Sequence, residues 1–162
     1  MLMWVENFDP TPNNIDKVMS AEIPDEGNPL REIVTKCMIH GPCGSLNPSL
    51  SCMKNGRCKH NYPRDFQENT IFAEDAFPTH RRRSPENGGN TVNKRVGGLD
   101  VVITNRNIVP CPPYLVYKYQ CHINMEYFAK VESMKYLFKY SFKGHNLVTI
   151  ESEMQMNEIK RF

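Results

Sequence analysis

Four residues of the two types that best hold a soft divalent metal fall within nineteen positions. His40, Cys43, Cys52 and Cys58 have the spacing H-x2-C-x8-C-x5-C. Zinc takes about four such nitrogen and sulfur ligands in a tetrahedron, and ligands two or three residues apart on a glycine turn can share one ion. Gly41, Pro42 and Gly44 surround the first pair, and Gly56 precedes Cys58. The segment is poor in apolar residues, so a metal staple would supply the cohesion that packing cannot. Four protein ligands leave no open position, which makes the expected zinc structural, not catalytic. Two alternatives stay open: ordinary reduced thiols beside a surface histidine, or replacement of one ligand by Cys37 or His60. Cys111 and Cys121 read as core or strand residues.

The second chemistry on offer is positive charge. Net charge is only +2, so any nucleic-acid footprint must come from local clustering. Two clusters exist: Arg81-Arg82-Arg83, and Lys135, Lys139 and Lys143 at helical spacing. The arginine run lies in a polar stretch, where it is either solvated or in contact with phosphate. His122, Asn124 and Glu126 alternate with Ile123, Met125 and Tyr127, which predicts a half-buried strand with a polar face. That face either is solvated or supports a site; no ligand is assigned to it.

The elements that must position these groups are unevenly legible. Residues 1–30, with Pro10, Pro12, Pro24 and Pro29, read as an irregular lead-in with a short helix near Asn14–Ser20. Residues 31–66 form a zinc-finger-like segment, entered by a short helix or strand over 31–39. Residues 67–98 read as a long polar loop. Residues 99–146 are expected to hold strands and a helix. Val101–Ile103 and Ile108-Val109 flank Asn105-Arg106-Asn107 as a hairpin, and Tyr114–Tyr119 is a second β-type run. Residues 128–143 have helical periodicity, ended by Gly144. Residues 147–162 read as the start of a truncated C-terminal segment.

Length and composition fit one soluble domain: 162 residues, 40% hydrophobic and 23% charged. No apolar run approaches the roughly 20 residues of a membrane helix. The start, Met1-Leu-Met-Trp-Val-Glu-Asn7, has no basic region before an apolar one, so no secretory leader is expected. Six cysteines without such a leader suit a reducing compartment and metal ligation. A nuclear or other intracellular location is the expectation.

Several of these words occur together, in order. They are Met38-Ile-His-Gly-Pro-Cys-Gly44, Cys52-Met53, Gly56-Arg-Cys58, Tyr62-Pro63 with Phe66, and the Arg81–Arg83 run. Val109-Pro110, Pro113-Tyr-Leu115, Lys118-Tyr119, Cys121-His-Ile-Asn124 and Lys135-Tyr-Leu-Phe-Lys-Tyr140 follow. From about Ala21 to Asn146 the chain resembles the helicase-like region of Helitron transposons. Cys111-Pro112 and His80 depart from the family's usual residues there.

The resemblance implies a rolling-circle replication initiator, a tyrosine nuclease of the HUH type fused to a DNA helicase, which nicks and rejoins single-stranded DNA. The implied fold is α+β, an antiparallel sheet with a tyrosine-bearing helix. Tyr136 and Tyr140 are then the nucleophiles, with Lys135, Lys139 and Lys143 as charge support. Periodicity agrees: Val131, Met134, Phe138 and Phe142 share one helix face, the lysines lie roughly opposite, and the tyrosines, one turn apart, border the lysines. Mg2+ or Mn2+ would serve only the intact parent. No two of the five histidines stand as H-x-H, and no phosphate loop of the G-x-x-x-x-G-K-S/T type occurs. The expectation is a fragment whose upstream nuclease and downstream helicase segments lie elsewhere in the parent, inactive in cleavage by itself. The rival expectations are a non-catalytic zinc-stabilised nucleic-acid-binding module and an inactive transposon remnant.

Overall fold

The computed structural model describes residues 8–72 and 77–127. By internal contacts the chain divides into residues 1–129 and 130–162, and the second unit lies outside the described residues. The first unit is a mixed α+β structure of short helices and two-stranded antiparallel ribbons.

Helix α1, Pro12–Val18, starts where Thr11 caps the Asn14 amide and proline sits in the first turn. Helix α2, Pro29–Cys37, repeats the device: the Asn28 side chain accepts from the Leu30 amide at 2.9 Å. Glu32 in its first turn and Lys36 in its last complement the helix dipole. Both helices agree with the sequence, which left residues 31–39 open between helix and strand.

The main core gathers Ile23, Val34, Met38, Ile103, Ile108, Val109, Cys111 and Val116. It therefore draws on the lead-in, on α2 and on the chain beyond residue 99 at once. Two antiparallel bridges close it. Ser20 and Cys111 exchange backbone hydrogen bonds of 2.9 Å, and Ile39 pairs with Ile108. Burial pushes the Cys111 thiol up to about 11, so it stays a neutral core group.

Several sequence expectations are corrected here. Residues 67–98 are not one polar loop. They contain strands β3, Ile71–Phe72, and β4, Pro78–Thr79, a 3-10 turn over Pro85–Asn87, and strand β5, Val92–Val96. The hairpin of the second half is β5 with β6, Leu99–Ile103, turning on Gly97 and Gly98 at φ +58° and +86°. A Gly-Gly pair with both φ positive matches the right-handed strand twist. Asn105–Asn107, expected at the hairpin tip, is a 3-10 turn capped by Thr104.

The Tyr114–Tyr119 run is a helix, α3 (Pro113–Tyr119), not a strand. Pro113 fixes the first-turn φ, and aromatic β-propensity yields because Val116 must enter the core against α2. Residues 121–127, expected as a strand, have no regular secondary structure, although Ile123 still packs on the core.

The arginine run is the largest correction. Arg82 is 4% exposed, and its Nη1 donates to the carbonyls of Asn105 and Ile108, each at 2.6 Å. Burial pulls its pKa below the ordinary arginine value, against the pull of Tyr62 and Glu126. Arg81 and Arg83 both grip Glu22, which is 8% exposed. Arg83 reaches its two oxygens at 2.9 and 2.8 Å, and Arg81 Nη2 lies 3.1 Å away. Arg82 is thus no phosphate contact, and its neighbours are committed to a carboxylate. The run is an internal clasp.

Candidate metal centre

His40 follows α2 on a strand-like stub. Its amide donates to the Asn107 carbonyl at 2.8 Å, and the Val109 amide donates to the Met38 carbonyl, also at 2.8 Å. The histidine is therefore fastened to the main core. Gly41 then turns the chain at φ +90°, where an added Cβ would stand 2.6 Å from the Cys43 amide nitrogen. Only glycine fits there, and Cys43 comes round to the same side as His40.

Cys52 and Cys58 are brought together by a ribbon, β1 (Met53–Lys54) with β2 (Arg57–Cys58). Its tip is Asn55-Gly56, with φ +51° and +75°, the pairing that a two-residue type I′ turn demands. The Lys59 amide closes the base by donating to the Cys52 carbonyl at 2.8 Å. The Asn-Gly pair was a readable hairpin signal that sequence reasoning used only as a glycine turn.

The ligand atoms of His40, Cys43, Cys52 and Cys58 all lie within 4.8 Å of one another. Cys58 Sγ and His40 Nε2 are 3.3 Å apart. A tetrahedral zinc with bonds of about 2.0 Å to nitrogen and about 2.3 Å to sulfur needs an N···S edge of about 3.5 Å. The cluster is already near that size, and the donor set is one that a structural zinc takes. Of the two proposed substitutes, Cys37 turns to the Gln120 carbonyl, and the His60 ring lies edge-on to His40 at 5.7 Å. Neither joins the group of four.

Electrostatics prepare the set for a cation. Burial, reinforced by the nearby charges of His60, Arg64 and His122, holds the His40 imidazole below its ordinary pKa, in the neutral form that binds metal. Among the thiols, burial and the neighbouring sulfurs push Cys43 up to about 12. Burial opposes ionisation of Cys58 too, but hydrogen bonds from the backbone at Tyr62 and His60 and from Cys43 and Cys52 outweigh it and lower its pKa. A thiolate is thus favoured at Cys58, whereas Cys43 needs a cation to lose its proton.

The three cysteines have a small core of their own with Leu50, Met53 and Tyr62. Tyr62 also packs against the main core, so it couples the two. Its ring stacks on His40 at 4.2 Å, with Arg64 above it at 5.3 Å and Arg82 at 6.0 Å. The words His40-x2-Cys43, Cys52, Cys58, Tyr62 and Arg82, far apart in the chain, meet in one place.

The polar alternation of residues 122–126 disperses. His122 Nδ1 is 2.9 Å from the Cys37 carbonyl. Glu126 lies 3.6 Å from Nε2 of His80, a histidine 4% exposed whose ring nitrogens make no hydrogen bond. Tyr136, Tyr140, Lys135, Lys139 and Lys143 fall outside the described residues. Among those described, no helix is long and apolar enough to cross a membrane. Comparison of the chain with models of known protein families and with curated proteins finds no match to either.

Proposed function

We propose that this chain is the metal-stapled, single-strand-binding part of a Helitron-type rolling-circle initiator. One observation carries the reading. Four residues among those on which the resemblance rests, His40, Cys43, Cys52 and Cys58, form one cluster with Tyr62 stacked against His40. A structural zinc held by His40, Cys43, Cys52 and Cys58 organises the DNA-handling surface and takes no part in bond breaking, because its four protein ligands leave no place for substrate.

In this reading the nicking chemistry belongs to the intact parent. An HUH-type sheet there supplies the histidine pair and its Mg2+ or Mn2+, and Tyr136 and Tyr140 attack the phosphodiester. A tyrosine nucleophile needs that metal to neutralise charge developing on the phosphate. The isolated chain is therefore expected to bind single-stranded DNA without cutting it.

The test joins this coding segment to its genomic flanks. An in-frame H-x-H motif upstream and a phosphate loop downstream are expected. The restored protein with Mn2+ should form a covalent adduct with a single-stranded oligonucleotide, lost when Tyr136 and Tyr140 are both phenylalanine. Flanks lacking both motifs, or an adduct undiminished in that double variant, would defeat the reading.

A further inference from the structure

With Arg82 buried and Arg81 and Arg83 paired to Glu22, freer cations among the described residues lie elsewhere. Residues 8–32 hold six acids and two bases, whereas residues 40–66 hold four bases, Lys54, Arg57, Lys59 and Arg64, and one acid, Asp65. All four bases are exposed. A zinc with three thiolates and a neutral imidazole carries one net negative charge, so the cations still prevail. The small net charge of the whole chain conceals this separation.

The aromatic groups beside these cations are ordered. Arg106, 37% exposed, sits over the Phe66 ring at 5.5 Å and donates from Nε to the Arg64 carbonyl at 2.6 Å. The Arg64 amide returns a bond of 2.9 Å to the Arg106 carbonyl. Arg64 in turn covers Tyr62, which stacks on the ligand His40. Phe66 with Arg106, and Arg64 with Tyr62 and His40, are two stacks of planar groups laced into one row by the Arg64–Arg106 hydrogen bonds, and the second stack ends at the candidate metal centre. Phe66 keeps 37% of its surface exposed. Asp65, the one acid of residues 40–66, is fully exposed and only 3.6 Å from Arg106 Nη2, a contact that phosphate can displace.

We infer that this row is a binding track for single-stranded DNA: unpaired bases stack on Phe66 and the guanidinium planes of Arg64 and Arg106, and Lys54, Arg57 and Lys59 hold phosphates. Planar groups alternating with cations, in a segment with a single acid, is the arrangement that binds single strands without reading sequence. Duplex DNA hides its base faces and gains nothing from the stacking row. The inference rests on the proposed DNA-handling role and moves the footprint away from Arg81–Arg83.

The test is fluorescence anisotropy of the zinc-loaded full chain with a labelled oligo-dT, a duplex of equal length and an oligo-rU. Phe66→Leu should weaken oligo-dT binding about 5-fold or more, the low end of one lost base stack, and leave the salt dependence unchanged. The triple variant K54Q/R57Q/K59Q should weaken it further and flatten the log–log salt slope by about 2, at roughly 0.7 per single-strand phosphate contact. Arg95→Gln, an exposed cation on β5, should change nothing. Zinc content and circular dichroism establish that each variant is folded. Folded, zinc-loaded variants that bind as the parent chain does would overturn the track while leaving the proposed function standing. A parent chain that binds no single strand would overturn both. Equal or tighter binding of the duplex would overturn the stacking mode, and tighter binding of oligo-rU the choice of DNA.

Discussion

The metal knuckle of residues 40–66 and the clasp of residues 81–83 use charged and polar groups in opposite ways. The knuckle hides its ligand set and turns its cations outward, with Cys52 and Cys58 only 8% exposed between freely exposed Lys54, Arg57 and Lys59. The clasp turns its central cation inward, where Arg82 satisfies backbone carbonyls in place of water. A short basic run in a sequence therefore does not mark a binding surface. What decides is whether acids and bare carbonyls are there to receive the guanidinium groups, and Glu22, Asn105 and Ile108 receive these.

The largest expected effect that separates the two regions comes from the metal. Structural zinc in small domains contributes on the order of 10 kcal/mol of binding free energy near neutral pH. Chelation should therefore unfold residues 40–66 while the main core around Ile108 and Val116 persists. Hydrogen exchange should show protection lost at Met53 and Lys59 and kept at Val109. Cys58→Ser should leave substantially less than one zinc per chain by metal analysis. Loss of protection at Val109 in step with Met53 would mean that the two regions are one cooperative unit.

Arg82→Met ranks next. It strands the carbonyls of Asn105 and Ile108 in the core, and losing one side of a buried charged hydrogen-bond set costs about 3 kcal/mol or more. Urea unfolding of the zinc-loaded chain should show this loss, and Arg81→Met should cost less, because Arg83 still holds Glu22. Comparable stability of Arg82→Met and the parent would break the account of the clasp.

The third prediction uses acid. Burial raises the Glu22 pKa, but hydrogen bonds from Arg83 and the charges of Arg81 and Arg83 outweigh it, so the carboxyl titrates below its ordinary value. A folded pKa below the unfolded one gives stability that is present above about pH 4.3 and is lost as pH falls through the lowered folded value. Unfolding midpoints measured between about pH 5 and pH 3 should fall less steeply in Glu22→Gln than in the parent chain. Acid also protonates the zinc thiolates, so the comparison is made on metal-free protein.

The smallest effect concerns the ribbon tip. Gly56→Ala places a side chain at φ +75° with no neighbour within 4 Å. The cost should come from backbone conformation alone, about 1 kcal/mol. It should appear as slightly weaker zinc affinity in a competition titration, with urea stability of the main core unmoved.

The sequence pointed to the four residues that cluster, with Cys37 and His60 left open, because residue type and short spacing are local signals. It pointed to a short helix near α1 and left α2 open between helix and strand, although Thr11, Asn28 and the prolines beside them are local cap signals that could have decided both. It misread Tyr114–Tyr119 because aromatic residues favour strands until a core position such as Val116 decides otherwise. It missed the row from Phe66 to Arg106 because those residues are forty positions apart, and nothing near Arg106 announces Arg64. It assigned the arginines to the surface because their acceptors, Glu22 and Asn105, lie 61 and 23 residues away.

Those same separations set the order in which the molecule assembles. The knuckle closes over 18 residues between His40 and Cys58, whereas Arg83 finds Glu22 across 61. Loop-closure entropy makes the longer search costlier by about 1 kcal/mol, and chains rich in distant contacts fold slowly. On refolding with metal, the knuckle is therefore expected to form first and the clasp last. Cobalt in place of zinc makes this visible: thiolate absorption should develop before the Asn105 side chain gains protection from exchange. Arg83, which looked in the sequence like part of an arm reaching for DNA, then acts kinetically as the final bolt of the clasp.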